Sequence, residues 1–154
     1  MAKQRVAEKI SILIADDDAD DRELLKTAFE EHHIANLQLQ FVENGEELMH
    51  YMRRQGPYTD ETVYPTPRLI LLDLNMPKKD GREALRELKT DNRFKSVPVV
   101  VLTTSTEEKD IARSYELGVN SFIIKPVTFT QLVEMTRILL DYWTGISQLP
   151  NLSL

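Results

Sequence analysis

Three stretches of this chain are apolar at almost every position. They are residues 10–15 (Ile-Ser-Ile-Leu-Ile-Ala), 69–72 (Leu-Ile-Leu-Leu) and 97–102 (Val-Pro-Val-Val-Val-Leu). With Ser121-Phe122-Ile123-Ile124 they form runs of four to six residues, the length expected of strands buried on both faces. Pro98 falls near the start of its run, where a missing donor is tolerated. A fifth stretch, residues 37–42 (Leu-Gln-Leu-Gln-Phe-Val), alternates apolar with polar and predicts a half-buried edge strand. Between these runs apolar residues recur with helical period. The groups are Leu24, Leu25, Ala28 and Phe29; Leu48, Met49, Tyr51 and Met52 after Asn44-Gly45; Ala84, Leu85 and Leu88 in a helix over about 82–89; and Ile111, Ala112, Tyr115 and Leu117 before Gly118. A last helix is predicted over about 129–143, followed by an irregular tail from Gly145. Residues 56–68 carry Pro57, Pro65 and Pro67 without periodicity and predict a loop of unusual length.

Five strands alternating with five helices predict a three-layer α/β domain with a mostly parallel sheet. For this count the common strand order is the flavodoxin-like 2-1-3-4-5, with a site where strands 1 and 3 diverge. The 154 residues suffice for one domain without staples, and no repeat or linker divides them. The expectation is a single domain over 1–154, with a core at about 10–143, a tail at 144–154 and no output domain. A net charge of −6 argues against direct nucleic-acid binding. The absence of cysteine excludes disulfides, thiolate metal sites and Cys nucleophiles. No apolar run reaches the roughly 18 residues of a membrane span. The charged N-terminus has no signal-peptide core, so the expected location is cytoplasmic.

In the predicted order, several strand ends become neighbours at one edge. Strand 1 delivers Asp16 and Asp17, strand 3 Asp73, strand 4 Thr103 and strand 5 Lys125. Each has an ordinary alternative: Asp16, Asp17 and Asp73 as helix caps or loop acids, Thr103 as a strand-end hydroxyl, Lys125 as a surface lysine. Their joint placement at the ends of separate buried strands favours chemistry. Crowded carboxylates raise one another's proton affinity unless a cation is present. All-oxygen ligation with open positions suits Mg²⁺. Lys125 and Thr103 would then hold the oxygens of a phosphoryl group, with Asp73 as the nucleophile that forms an aspartyl phosphate.

The same residues carry a resemblance. Ile12-Leu13-Ile14-Ala15-Asp16-Asp17, Leu71-Leu72-Asp73-Leu74-Asn75-Met76-Pro77-Lys78-Lys79-Asp80-Gly81, Val101-Leu102-Thr103-Thr104-Ser105 and Phe122-Ile123-Ile124-Lys125-Pro126 resemble the response-regulator receiver domains of two-component signalling. Residues 77–83, Ser114-Tyr115-Glu116-Leu117 and the pair Tyr142-Trp143 resemble the single-domain regulators paired with cyanobacterial phytochromes. The resemblance implies that Asp73 accepts phosphate from a sensor histidine kinase. It also implies that Mg²⁺ is bound by Asp17, Asp73 and the backbone carbonyl of Asn75, with Asp16 acting through a water. Lys125 would contact the phosphoryl group, and the Lys125–Pro126 bond would be cis. Thr103 and Phe122 would form the switch pair. From the residues alone, Phe122 reads first as a core aromatic. Asn75 and Ser105 flank the site where families tune hydrolysis.

On this reading the protein is a phosphoacceptor and switch rather than an enzyme acting on other substrates. The last helix carries more apolar residues than one stripe needs. That excess predicts a homodimer through strand 5, this helix and Tyr142-Trp143, with output by protein–protein contact. Three rivals stay open. An aspartyl-nucleophile phosphatase commonly has a second Asp where Asn75 stands. A flavodoxin-type carrier needs a phosphate loop where this chain has acids. A pseudo-receiver shares the fold but is never phosphorylated.

Overall fold

The computed structural model describes residues 9–150. The charged N-terminus (1–8) and the last four residues of the predicted tail lie outside the described residues. Five strands, β1 (Ile10–Ala15), β2 (Leu37–Val42), β3 (Leu69–Leu72), β4 (Val99–Thr103) and β5 (Ser121–Ile124), form one parallel sheet in the order β2-β1-β3-β4-β5. The helices are α1 (Ala19–Glu30), α2 (Gly45–Met52), α3 (Gly81–Thr90), α4 (Glu108–Glu116) and α5 (Phe129–Leu140).

Strand parity sorts the core into two halves, because successive side chains point to opposite faces. Leu13, Ala15, Ile70, Leu72, Val99 and Val101 meet Leu48, Met49 and Met52 of α2 and Ala84, Leu85 and Leu88 of α3. Ile12, Ile14, Leu69, Leu71, Val100 and Leu102 meet Leu25 and Phe29 of α1 and Leu139 and Leu140 of α5. The inner strands are buried on both faces, as their unbroken apolar runs predict, while β2 is mostly half-buried at the edge.

Several helical details differ from the sequence reading. In α4 the buried residues are Asp110 and Ser114; Ala112 and Tyr115 face solvent. The Asp110 carboxylate, bonded to Arg82 and Ser105, takes the place of part of the apolar stripe there, and periodicity alone does not distinguish the two. In α1, Leu24 is exposed although Leu25, Ala28 and Phe29 are buried. α5 ends at Leu140 and passes into a π-helical turn, Asp141–Ile146, which extends helical structure past the predicted stop. The proline-rich loop contains a short 3-10 turn at Gly56–Tyr58 and is pinned by the rings of Tyr51, Tyr58 and Tyr64, with centroids 5.0–5.9 Å apart. Tyr51 is buried and donates its hydroxyl to the Pro65 carbonyl at 2.8 Å.

The expected interface role of Trp143 needs correction. Its ring is 8% exposed and belongs to the core half that holds Leu139 and Leu140. A ring of this size gains more from burial than any other side chain on that turn. Tyr142 is half-exposed and stands edge-on to it, centroids 5.1 Å apart. The expected cis Lys125–Pro126 bond is likewise absent: among the described residues every peptide bond is trans, the isomer favoured even before proline.

Candidate functional site

Parallel pairing brings the strand ends together. Ala15 pairs with Leu72, Leu72 with Val101 and Thr103 with Ile124, so the residues just past each strand share one edge. Two backbone bonds lock this alignment: Asp73 N–H donates to the Ala15 carbonyl at 2.9 Å and Lys125 N–H to the Thr103 carbonyl at 2.8 Å. Gly81 closes the connection beneath Asp73. A Cβ there would lie 2.1 Å from the Asp73 carbonyl oxygen, so only glycine lets α3 start so close to the strand.

The capping alternatives for the acids do not hold. Asp18 caps α1, accepting from the N–H groups of Asp20 and Asp21, and Asp80 caps α3. Asp16 and Asp73 are instead buried, and Asp17 is exposed at the rim. One carboxylate oxygen from each of Asp16, Asp17 and Asp73 lies within 4.8 Å of the others. Lys125 reaches into this cluster, its Nζ 2.8 Å from Asp16, 2.8 Å from Asp21 and 3.0 Å from Asp73. Asp73 Oδ1 accepts from the Thr103 hydroxyl at 2.9 Å and from Asn75 N–H at 3.1 Å. Every oxygen of the Asp73 carboxylate is therefore held before any ligand arrives.

The electrostatics follow from burial and charge. Burial pushes the Asp16 carboxyl above its ordinary value, more than the bond from Lys125 and the Asp18 N–H pull it down, and Asp73 adds repulsion. Burial alone would lower Lys125, but its bonds to Asp16 and Asp21 outweigh that, so its ammonium is held above the usual lysine range. The site thus concentrates negative charge around one fixed cation. Three clustered carboxylates, two of them buried, are an oxygen donor set that fits a small hard divalent ion.

Phe122, expected as a switch residue, lies half-buried against the core half containing α2 and α3, and its N–H donates to the Tyr115 hydroxyl at 3.1 Å. Three site residues escape sequence reasoning. Asp21 sits in the first turn of α1, where an acid is already explained by the helix dipole. Arg82 and Asp110 join α3 to α4 through two 2.7 Å bonds, and Asp110 also accepts from the Ser105 hydroxyl at 2.7 Å. Nothing in the local pattern of either residue signals that pairing, which spans 28 positions.

A sheet of this order with acids, a hydroxyl and a lysine at its carboxyl edge defines a phosphoacceptor switch domain. Residues 12–137 match the response regulator receiver domain family, and the chain belongs to it. Response regulator Rcp1 of Synechocystis is 41% identical over 145 residues, covering 92% of this chain and 93% of Rcp1. The crystal structure of the phosphorylated cyanobacterial phytochrome response regulator RcpA superposes with a TM-score of 0.86 at 39% identity, covering 94% of this chain and all of that one. The Mn²⁺-bound form of Rcp1 does so with a TM-score of 0.83 at 38% identity, covering 92% and 99%. The fold class and strand order expected from sequence are those of these structures.

Proposed function

We propose that Asp73 accepts a phosphoryl group from a sensor histidine kinase and that the resulting change is passed on through protein–protein contacts. The observation that carries this reading is the Asp73 carboxylate itself, held between the Lys125 ammonium and the Thr103 hydroxyl beside Asp16 and Asp17. An Asp73 oxygen attacks phosphorus, forming a P–O bond as the P–N bond to the kinase imidazole breaks; the imidazole keeps the electron pair and takes a proton from solvent. Asp17, Asp73 and the backbone carbonyl of Asn75 would hold Mg²⁺, with Asp16 acting through a water. When bound, the ion supplies positive charge to the phosphoryl oxygens. Lys125, whose Nζ lies 3.0 Å from Asp73 Oδ2, would contact the same oxygens.

Thr103 gives up its bond to Asp73 and donates to the new phosphoryl group. Phe122, only half-buried beforehand, turns toward the space that Thr103 leaves. The similarity to RcpA, a phytochrome response regulator, supports a phytochrome-type kinase as partner. The exposed apolar side chains of Ile124, Val127, Ile138 and Tyr142 support a homodimer through β5, α5 and the following turn, with Trp143 bracing Tyr142 from inside. The net charge of −6 opposes a role in direct DNA binding. Among the described residues no helix is long and apolar enough to cross a membrane, and we place the protein in the cytoplasm.

Incubation with Mg²⁺ and a small acyl-phosphate donor, followed by intact mass measurement, tests the assignment. One phosphate is expected on the wild type and none on Asp73→Ala. An unmodified wild type under those conditions overturns it.

A further inference from the structure

The side chains two residues beyond Asp73 and Thr103 are tied into one closed chain of polar contacts. Asn75 N–H donates to Asp73 Oδ1 at 3.1 Å, and Arg82 Nη2 reaches Asn75 Oδ1 at 3.3 Å. Arg82 Nε and Nη2 grip the two Asp110 oxygens at 2.7 Å each. Asp110 Oδ2 accepts from the Ser105 hydroxyl at 2.7 Å, Ser105 N–H lies 3.4 Å from Thr103 Oγ1, and Thr103 Oγ1 donates to Asp73 at 2.9 Å. The circuit starts and ends on the acceptor carboxylate. Its long members are those to Asn75 and Thr103; its short, ionic member is the planar fork between Arg82 and Asp110, which fixes both orientation and distance. Arg82 is steadied further by Asp80 at 3.1 Å.

We infer that Arg82 and Asp110 act as a strut that positions Asn75 and Ser105 over Asp73 and thereby sets how long the phosphoryl group survives. The inference rests on Asp73 being the acceptor. Loss of the group requires a water oxygen to attack phosphorus as the P–O bond to Asp73 breaks. The electron pair returns to the carboxylate, the water's proton passes to solvent, and inorganic phosphate departs. Asn75 bonds the acceptor carboxylate and Ser105 lies against Thr103 Oγ1, and both stand on the solvent side of these buried groups, where a water approaching the phosphorus would meet them. The strut holds both while touching neither the carboxylate nor the incoming phosphate, so Arg82 and Asp110 are positioning residues.

The test follows dephosphorylation of wild type, Arg82→Ala, Asp110→Ala, the double variant and Arg82→Lys by intact mass at 25 °C. Asp91→Ala, which breaks an ion pair with Arg93 at the other end of α3, serves as the control. Both alanine variants should lose phosphate about tenfold faster than wild type, the size of effect expected of residues that act on a site through intermediaries. The double variant should be no faster than the faster single one, and Arg82→Lys, which keeps the charge but not the fork, should fall between. Backbone hydrogen exchange over residues 104–108 should quicken in the same variants and not in Asp91→Ala, a local signature that a general loss of stability does not give. Lifetimes within twofold of wild type, or longer, overturn the strut, as does unchanged exchange over 104–108. If the wild type takes up no phosphate, it is the assignment of Asp73 that fails, and the strut falls with it.

Discussion

Asp110 is a carboxylate buried in the first turn of a helix, tolerable only because Arg82 and Ser105 satisfy it. The bond from the Arg82 guanidinium, reinforced by that from Ser105, holds its pKa down at about 2 against the opposing effect of burial. A carboxyl with a depressed folded pKa adds stability that is complete above its unfolded value near 4 and is lost as pH falls through about 2. The shift corresponds to at most about 2–3 kcal/mol, less what solvent screens through the partly exposed Arg82. Urea midpoints measured from pH 6 down to pH 2.5 should therefore fall less steeply for Asp110→Asn than for wild type; parallel curves would contradict this. At this scale legibility depended on whether an acid had a ready local explanation. Asp16, Asp17 and Asp73 stood out because each ended a buried apolar run. Asp21 and Asp110 sat in first helical turns, where an acid is unremarkable, Arg82 followed a capping Asp80 that accounts for a nearby cation, and their partners lie too far along the chain for any local pattern to join them.

The end of α5 separates two aromatic neighbours that look equivalent in sequence. Trp143 is packed in the core, so Trp143→Ala should cost about 3–5 kcal/mol in denaturant unfolding. Tyr142 is half-exposed, so Tyr142→Ala should cost only about 1 kcal/mol, chiefly its edge-on contact with Trp143, while weakening self-association in sedimentation experiments. Equal losses of stability would contradict the assignment of one ring to the core and the other to the surface. Sequence could not divide the pair because the π-helical turn changes the spacing on which face assignments rely. The strands were far more legible: β1, β3 and β5 coincide with their predicted spans because short apolar runs bounded by polar residues fit a strand buried on both faces, and β2 because its alternation fits a half-buried edge. α4 was misjudged for the converse reason, its few apolar residues suggesting a stripe where polar side chains do the anchoring.

For the molecule as a whole, folding gathers acids from distant parts of the chain into one cluster, which the unfolded chain lacks. Mg²⁺ should therefore bind the native state preferentially and raise the melting temperature. At roughly ten times its Kd the gain is about 1.4 kcal/mol, or about 3–6 °C for a domain of this size. The shift should vanish in Asp17→Asn, and a wild-type melting curve indifferent to millimolar Mg²⁺ would contradict the metal assignment. The parallel sheet makes such a site almost unavoidable, because every strand delivers its last residue to the same edge. α4 is seated differently from its neighbours, through the Asp110 carboxylate and the Tyr115 hydroxyl, which accepts from Phe122 N–H of β5. An apolar helix cannot be lifted without opening a void that nothing fills. α4 is held chiefly by the bonds of one carboxylate to Arg82 and Ser105, so displacing it would cost those bonds and strand a buried charge rather than empty a large apolar cavity.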